Sequence, residues 1–286
     1  MELLIPAIIS GLLMGMLFAL VALGLAIIFG VMNIVNFAHG EFLMIGMYTT
    51  FLTSTYLNIE PLLTIPVAAT AGLILGVASY YFLVRYLLKG PMLAQLLGTF
   101  GLMIFLQYTV MAIFGPDYKT LEHGLLVGKS VKWGAVVISY PKLGTAVISV
   151  ISFGAVYWLI NRTRLGMALK ATALNAEAAS YMGINTERMR ALAWALGGVT
   201  AGTAGALLTN FYYAYPTVGM LFTLIAFATV AMGGFGSIKG AFIAGLIMGL
   251  LIDLGGTFVG PQHKFALIYL TYFLVVIFRP QGFFGW

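Results

Sequence analysis

The sequence contains no cysteine and very few charged residues. Without thiols the chain forms neither disulfide bonds nor thiolate metal sites, although this absence does not identify the redox compartment. Charged residues make up 8% of the 286 residues and hydrophobic residues 62%. A soluble domain of this size carries about a quarter charged residues. The composition therefore excludes an ordinary soluble domain and predicts an all-α, polytopic transmembrane helical bundle.

The net charge of +6 does not indicate a nucleic-acid partner. The basic residues stand at the ends of apolar runs, where they orient membrane spans and do not form a binding patch. The first apolar run lacks the basic segment and the cleavage site of a signal peptide, so we expect it to remain as a span. The lipid bilayer is the expected environment, and no nucleic acid, metal or cofactor is expected on this chain.

About eight to nine spans are expected within one transmembrane domain, 1–286. Two or three of the apolar runs are short enough to be half-helices or re-entrant segments. The runs lie at 6–29, 41–57, 62–85, 93–114, 143–160, 190–213, 220–235, 240–256 and 264–279. With the 161–189 loop in the cytoplasm, most basic residues lie on the inner side, as expected for membrane proteins. The amino terminus is then outside, the carboxyl terminus is cytoplasmic, and the 115–142 loop is extracytoplasmic.

The 162–190 segment carries too much charge to span a membrane. Lys170, Glu177 and Arg188 would each cost several kcal/mol at the bilayer centre. The composition nevertheless favours a helix at 165–182. Apolar side chains recur along one face of that helix, at Met167, Ala171, Leu174, Ala178 and Met182. The segment is therefore predicted to be a short amphipathic helix held between two spans.

The carboxyl-terminal end of this loop carries two capping signals. Gly183 follows the last residue of the apolar stripe and suits the left-handed conformation that ends many helices. Asn185 or Thr186 can cap the helix that follows.

Two interruptions break otherwise apolar sequence. Between Asn33 and Glu41, four polar residues separate two apolar runs, and two interpretations stay open. One is a broken helix whose polar groups line a cavity, and the other is a short hydrated cytoplasmic turn. The second interruption is the glycine-rich string at 233–240. We expect the translocation path or its gate to involve the residues of both interruptions, at Asn33, Asn36, His39, Gly40, Glu41, Gly233, Gly234 and Gly236.

The extracytoplasmic 115–142 loop is the other sizeable segment outside the membrane. Its 124–139 portion is rich in β-branched and aromatic residues and predicts a small hairpin. The loop could receive a substrate-binding protein or could merely cover the helix ends, and the sequence favours neither.

Several strings together resemble one known family. Glu177-Ala178-Ala179, followed after three residues by Gly183, resembles the loop by which permeases of ATP-binding cassette (ABC) importers engage their ATPase. Four other strings of the family occur in order over nearly the whole chain. They are Asn36-Phe37-Ala38-His39-Gly40-Glu41-Phe42, Arg164-Leu165-Gly166, Gly183-Ile184-Asn185 and Gly233-Gly234-Phe235-Gly236-Ser237. From Leu12 to Gly282 the chain resembles the permease of branched-chain amino acid ABC importers, the LivH-type subunit.

This resemblance implies a role within a larger assembly. A second permease, two ATPase subunits and an extracytoplasmic substrate-binding protein would act with the chain in the bacterial inner membrane. ATP would bind to the ATPases, since this chain has no Gly-Lys-Ser/Thr phosphate loop. Contact with the ATPase would involve Arg164, Gly166, Glu177, Ala178, Ala179, Gly183, Ile184 and Asn185.

Two other function classes are considered beside the importer. A secondary transporter needs a buried acid to couple an ion gradient, and Glu41 and Asp253 are the acids nearest the membrane interior. An intramembrane enzyme is the weakest alternative, because the three histidines are scattered and no His-Glu-x-x-His string occurs.

Overall fold

The computed structural model describes residues 3–121, 124–125, 127–133 and 136–285. Within these residues the chain forms eleven helices and one two-stranded hairpin. They are α1 (Leu4–Met32), α2 (His39–Leu57), α3 (Pro61–Leu87), α4 (Met92–Phe114), β1 (Ser130–Trp133), β2 (Val136–Ser139), α5 (Tyr140–Arg162), α6 (Arg164–Leu174), α7 (Ala176–Tyr181), α8 (Thr186–Leu208), α9 (Val218–Gly233), α10 (Ile238–Phe258) and α11 (Lys264–Phe278).

Nine of these helices lie where the sequence predicts apolar spans. Among the described residues, six are long and apolar enough to cross a membrane, namely α1, α3, α4, α5, α8 and α10. Helices α9 and α11 are apolar but shorter. The largest shift is at α8, which begins at Thr186, four residues before the predicted run, and ends at Leu208 instead of 213. The helical bundle is confirmed.

Helices α1 and α8 form the centre of the bundle, and both are largely buried. They cross where Gly24 of α1 lies against Gly197 and Thr200 of α8. On the other side of α1, Gly11 and Gly15 pack against the backbone of the antiparallel helix α10. Small residues let helices approach closely in a membrane, where water does not drive apolar side chains together.

A glycine strip on α8 packs inside the chain. The sequence places Gly198, Gly202 and Gly205 on one face, where they suit close packing against a helix of this chain or of a partner. In the structure Gly198 lies on the Gly72 backbone of α3, and Gly205 lies on the Leu43 backbone of α2. The strip therefore joins α8 to α2 and α3 and is not available to another subunit.

The outer helices of the bundle expose apolar side chains. Less than a third of the membrane-length windows of α3, α4 and α5 is buried. Their exposed large side chains include Phe82, Phe105, Tyr108, Ile151 and Trp158. These faces suit lipid or a neighbouring membrane subunit.

The predicted hairpin is present in the 115–142 loop. Strands β1 and β2 are antiparallel, and their register pairs Ser130 with Ser139. Residues 134 and 135, between the two strands, and residues 122, 123 and 126 of this loop lie outside the described residues. A short bridge between Lys119 and Ala214 attaches the start of the loop to the α8–α9 connection.

Candidate functional site

The break between α1 and α2 begins with an asparagine in the left-handed conformation. Asn33 has φ 51°, and its N–H donates to the Phe29 carbonyl at 2.8 Å, which ends α1. Asparagine tolerates this conformation better than most residues because its short side chain bonds locally. Three residues later the Oδ1 of Asn36 accepts from the Ala38 N–H at 3.0 Å and starts the turn into α2.

Helix α2 begins deep inside the bundle. The Nε2 of His39 lies 2.9 Å from the Val21 carbonyl, and because a carbonyl can only accept, Nε2 donates. Val21 lies about three turns before the end of α1 at Met32. Asn36, His39 and Glu41 are all fully buried. Asn33 is exposed, but the 36–41 part of the segment folds back between the helices, which favours the broken helix over the hydrated turn.

The start of α2 is attached to the start of α9. The Gly40 N–H donates to the Oγ1 of Thr223 at 2.9 Å. A Cβ on Gly40 would overlap the Gly219 carbonyl and the Thr223 hydroxyl. The Glu41 carboxyl group lies on Gly219, since a Cβ there would be 2.6 Å from its Oε1. Two glycines thus allow a polar backbone contact in the interior.

Three side chains of this segment keep polar atoms unpaired. The Oε1 of Glu41 accepts from the Nε2 of Gln107 on α4 at 3.3 Å. Among the described residues, the Oε2 of Glu41, the Nδ1 of His39 and the Nδ2 of Asn36 are buried without a hydrogen-bond partner. Buried polar atoms are paired in the great majority of cases, so such a cluster is unusual and requires an explanation.

The glycine-rich string at 233–237 is a tight turn between α9 and α10. Gly234 has φ 101° and Gly236 has φ 81°, values that an L side chain rarely adopts. The Oγ of Ser237 accepts from the Gly240 N–H at 3.1 Å and caps α10. Gly236 packs on Gly30 near the end of α1.

The predicted path residues therefore lie at two levels. Asn33 and the 233–236 turn are near the end of α1, whereas Asn36, His39, Gly40 and Glu41 lie further inside. Sequence reasoning missed their partners Gln107, Gly219 and Thr223. Gln107 gave a detectable signal, since it is a polar residue within an apolar run, but Gly219 and Thr223 are ordinary residues of a membrane helix.

The carboxyl-terminal residues cap α9. The N–H groups of Phe283 and Phe284 donate to the carbonyls of Met232 and Gly233, at 2.9 and 3.1 Å. These carbonyls belong to the last turn of α9, where carbonyl groups have no hydrogen-bond donor within the helix. The tail thus holds the 233–236 turn, a contact that joins positions about fifty residues apart and that no local pattern indicates.

The charged 161–189 loop contains two helices and not the single one predicted. Asn175, with φ −157° and ψ 103°, interrupts the helix, and its Oδ1 accepts from the Ala178 N–H at 2.9 Å to cap α7. Upstream, the Oγ1 of Thr163 accepts from the Gly166 N–H at 3.1 Å and caps α6. The prediction of one helix at 165–182 is wrong because Asn175 bonds to its neighbouring backbone and ends α6.

The end of α7 agrees with the predicted glycine cap. Gly183 has φ 81°, and its N–H donates to the Ser180 carbonyl at 3.0 Å. The Ile184 N–H donates to the Ala179 carbonyl at 3.1 Å, which completes a Schellman motif. The Oδ1 of Asn185 then accepts from the Arg188 N–H at 2.9 Å and caps α8. The left-handed glycine and the asparagine cap are both confirmed.

The apolar stripe of this loop faces away from the chain. Met167, Leu174 and Met182 are 60%, 89% and 82% exposed, and Ala178 is exposed as well, although Ala171 is half-buried. The opposite face of α6 is buried through Gly166, Leu169 and Thr172. We call the exposed residues Met167, Leu174, Ala178 and Met182 the loop surface.

The buried face of α6 lies against the end of α1. Leu169 lines a small cavity of about 120 Å³ together with Ile27, Gly30 and Gly236. The loop surface is thus linked through one layer of side chains to the end of α1, next to the break at 33–41.

Comparisons with known proteins identify the family of this chain. The family model described as branched-chain amino acid transport system, permease component, matches residues 7–278. The chain belongs to this family. As a member of the family it is a multi-pass membrane permease and not an enzyme. The finding confirms the resemblance and favours the permease over a secondary transporter.

Individual relatives cover nearly the whole chain. The high-affinity branched-chain amino acid transport system permease protein BraD of Pseudomonas aeruginosa is 33% identical over 289 residues, 97% of this permease and 94% of the relative. The corresponding LivH of Escherichia coli K12 is 32% identical over 292 residues, 96% of this chain and 94% of LivH. The autoinducer 2 import system permease protein LsrC of Escherichia coli is 29% identical over 191 residues, 65% of this chain and 53% of LsrC. No solved structure matches the permease.

Proposed function

We propose that this permease is one membrane subunit of an ATP-driven importer of branched-chain amino acids in the bacterial inner membrane. It contributes half of the translocation path and receives the motion of a separate ATPase through its 161–189 loop. The observation that carries the proposal is the loop surface, an exposed apolar patch on a charged segment held by caps at Thr163, Asn175 and Gly183.

The loop surface requires a protein partner. Arg164, Lys170 and Glu177 flank it and exclude it from the hydrocarbon of the membrane. Exposure of its large apolar side chains to water is unfavourable, so a complementary surface is expected to cover them. The partner we propose is the ATPase, since the chain itself has no phosphate-binding loop.

Motion of the ATPase would reach the membrane interior through α6. The ATPase displaces the loop surface, and Leu169 on the opposite side of α6 transmits the displacement to the end of α1. The 33–41 segment continues directly from that end. Its unpaired polar atoms on Asn36, His39 and Glu41 would then meet water or a zwitterionic solute when the helices part.

A path needs walls on all sides, and we propose that a second permease supplies the other half. The second subunit would cover part of the exposed apolar faces of the outer helices. A substrate-binding protein would deliver the solute to the outer end, at the 115–142 loop. We propose that the amino terminus lies outside and the carboxyl terminus in the cytoplasm, an orientation supported by the distribution of basic residues.

The substrate class follows from the relatives with the highest identity and coverage. BraD and LivH carry branched-chain amino acid transport in their names, whereas the more distant LsrC is named for autoinducer 2 import. Leucine, isoleucine and valine are therefore the first substrates to test.

The test is reconstitution in liposomes. The permease with a second permease, two ATPases and a leucine-loaded binding protein should accumulate leucine when ATP is enclosed on the cytoplasmic side. The permease alone, under a proton or sodium gradient and without ATP, should accumulate none. Gradient-driven leucine uptake by the permease alone would overturn the proposal and support a secondary transporter.

A further inference from the structure

A cavity of about 440 Å³ lies where the end of α3 meets the start of α8. It is lined by Tyr80, Arg85, Tyr86, Leu88, Lys89, Glu187 and Arg190. Three of the lining side chains are cations and one is an anion, which leaves an excess of positive charge. We call it the cationic cavity. The positive-inside pattern accounts for basic residues at this end of the molecule but does not account for their convergence on one concave site.

The local structure of α3 opens this cavity. Residues Tyr80–Val84 form a π-helical turn within α3, and such turns occur frequently at functional sites. Just before the turn, the Nε1 of Trp194 on α8 donates to the Oγ of Ser79 at 2.9 Å. This buried bond holds the two helices together, and the cavity-lining residues of α3 begin at the π-helical turn, with Tyr80, and continue to the end of the helix.

Only some of the hydrogen-bond donors of Arg85 have acceptors among the described residues. Its Nη2 donates to the Tyr86 hydroxyl at 2.5 Å, and its guanidinium lies 4.6 Å from the centre of the Tyr86 ring. Its Nη1 is 3.9 Å from the Oε1 of Glu187, which is too long for a hydrogen bond. Its Nε is buried and has no acceptor among the described residues. A guanidinium with free donors is suited to a bidentate oxyanion such as a phosphate.

Large apolar side chains are exposed near the end of α3 and the start of α4, the two helices that the cavity-lining residues Leu88 and Lys89 connect. Phe82 and Tyr86 near the end of α3 and Leu93 near the start of α4 are exposed large hydrophobics. The cavity also lies at the same end of the bundle as the 161–189 loop, because α8 starts directly after it. Cations at the end of a span beside exposed apolar side chains correspond to the headgroup level of a membrane.

We propose that the cationic cavity binds the phosphate of an anionic phospholipid, with Arg85, Lys89 and Arg190 around the headgroup. The acyl chains of the lipid lie on Phe82, Tyr86 and Leu93. Glu187 limits the affinity, because it places a like charge beside the phosphate. The proposal does not depend on which solute the permease transports.

Bound lipid would stabilise the start of α8. Arg190 is the fifth residue of this helix, which follows the Gly183 and Asn185 caps of the 161–189 loop. A phosphate bridging Arg190 to Arg85 would therefore fix the loop relative to α3. The transporter should retain anionic lipid through purification and should be more stable with that lipid than with a zwitterionic lipid of the same chain length.

The test is native mass spectrometry of the permease with its partner subunits, titrated in detergent with phosphatidylglycerol or phosphatidylcholine of the same acyl chains. The wild type should bind phosphatidylglycerol in preference. The double variant Lys89→Gln, Arg190→Gln should bind phosphatidylglycerol about twenty-five-fold more weakly, at about fivefold for each cation removed. The matched control Arg162→Gln, Lys239→Gln removes two exposed cations that do not line the cavity and should bind as the wild type does.

Two further measurements test the proposal independently of the double variant. Glu187→Gln should bind phosphatidylglycerol more tightly than the wild type, which also tests the proposal if the double variant fails to assemble. Inorganic phosphate, added at millimolar concentration, should displace little of the lipid because it lacks the acyl chains. Equal binding of both lipids, equal losses in the double variant and its control, or full displacement by inorganic phosphate would each overturn the lipid assignment.

Discussion

At Gly183 the backbone conformation alone determines the effect of a substitution. Its φ of 81° is in the left-handed region, and apart from its chain neighbours no described residue has an atom within 4 Å of the place where a Cβ would stand. A substitution there is penalised by the backbone and not by crowding. The left-handed conformation costs an ordinary L residue about 1–2 kcal/mol, so a substitution at Gly183 is expected to change the geometry of the turn between α7 and α8.

We predict that Gly183→Val uncouples ATP hydrolysis from uptake while the protein still inserts. The measurement compares ATPase activity and leucine uptake in the reconstituted transporter. Gly183→Asn should retain most of the coupling, since asparagine tolerates the left-handed conformation. Gly154→Val is the matched control, because Gly154 also has open space around it but lies in a regular helix. Normal uptake by Gly183→Val would refute the role of this cap.

At Gly40, in contrast, the effect of a substitution is determined by steric crowding. A Cβ there would overlap the Gly219 carbonyl and the Thr223 hydroxyl, although the backbone is helical. The Gly40 N–H bond to Thr223 would also be lost if the helices separated.

Gly40→Ala should therefore destabilise the permease by about 1–3 kcal/mol, the usual cost of overpacking. The measurement is the midpoint of thermal unfolding in detergent. Gly101→Ala on α4, where a Cβ has open space, should leave the midpoint unchanged or slightly higher. Equal midpoints for the two variants would contradict the close contact between α2 and α9.

At the scale of elements, α6 has two faces with different tasks. Leu169 on the inner face is buried against the end of α1, whereas Leu174 is 89% exposed. Both are leucines on one short helix, so they allow stability and partner binding to be tested separately.

Leu174→Glu should abolish binding of the ATPase and leave the thermal stability of the permease unchanged, because it places a charge on the loop surface without opening a cavity. Leu169→Ala should destabilise the permease by about 2–5 kcal/mol, because it removes a buried side chain. Co-purification of the ATPase and thermal unfolding measure the two effects. If Leu174→Glu retained the ATPase at wild-type levels, the loop surface would not be the docking surface.

The short helices α6 and α7 also show how local bonds set element boundaries. Thr163, Asn175 and Asn185 each accept an N–H three residues ahead, and each starts a helix. The sequence identifies Asn185 as a candidate cap, but Asn175 lies within a helix-favouring run of alanine and leucine. The sequence did not reveal this cap, because helix prediction follows the composition of many residues and a single polar residue changes that composition little.

At the scale of the whole molecule, the absence of cysteine makes accessibility measurable without background. In the structure Asn36 and His39 are fully buried, whereas Met167 is on the exposed loop surface. Labelling of single cysteines by a small polar maleimide therefore reports whether the break opens.

We predict that Asn36→Cys and His39→Cys resist labelling in the resting transporter and become reactive when ATP and loaded binding protein are added. Met167→Cys should label rapidly in the permease without ATPase and more slowly in the assembled complex. Free labelling of both buried positions from the cytoplasm in every state would mean that the segment is a hydrated loop and lies outside the path.

The sequence by itself determined the features that depend on composition and on nearby residues. Apolar runs in the sequence placed nine helices, six of which are long and apolar enough to cross a membrane, and the strings that resemble the permease family run in order along most of the chain. The caps at Gly183 and Asn185 involve bonds across three to five residues, so their residue types are informative.

Only the tertiary structure decided how the interruptions are used. The depth of His39 depends on Val21 of α1, and the environment of Glu41 depends on Gln107 and Gly219, which are far apart in the sequence. The cationic cavity likewise needs α3 and α8 side by side. Polar contacts in a membrane interior join whichever helices pack together. That packing is set by close fits of small residues, and a strip of small residues in the sequence does not identify the helix that it packs against.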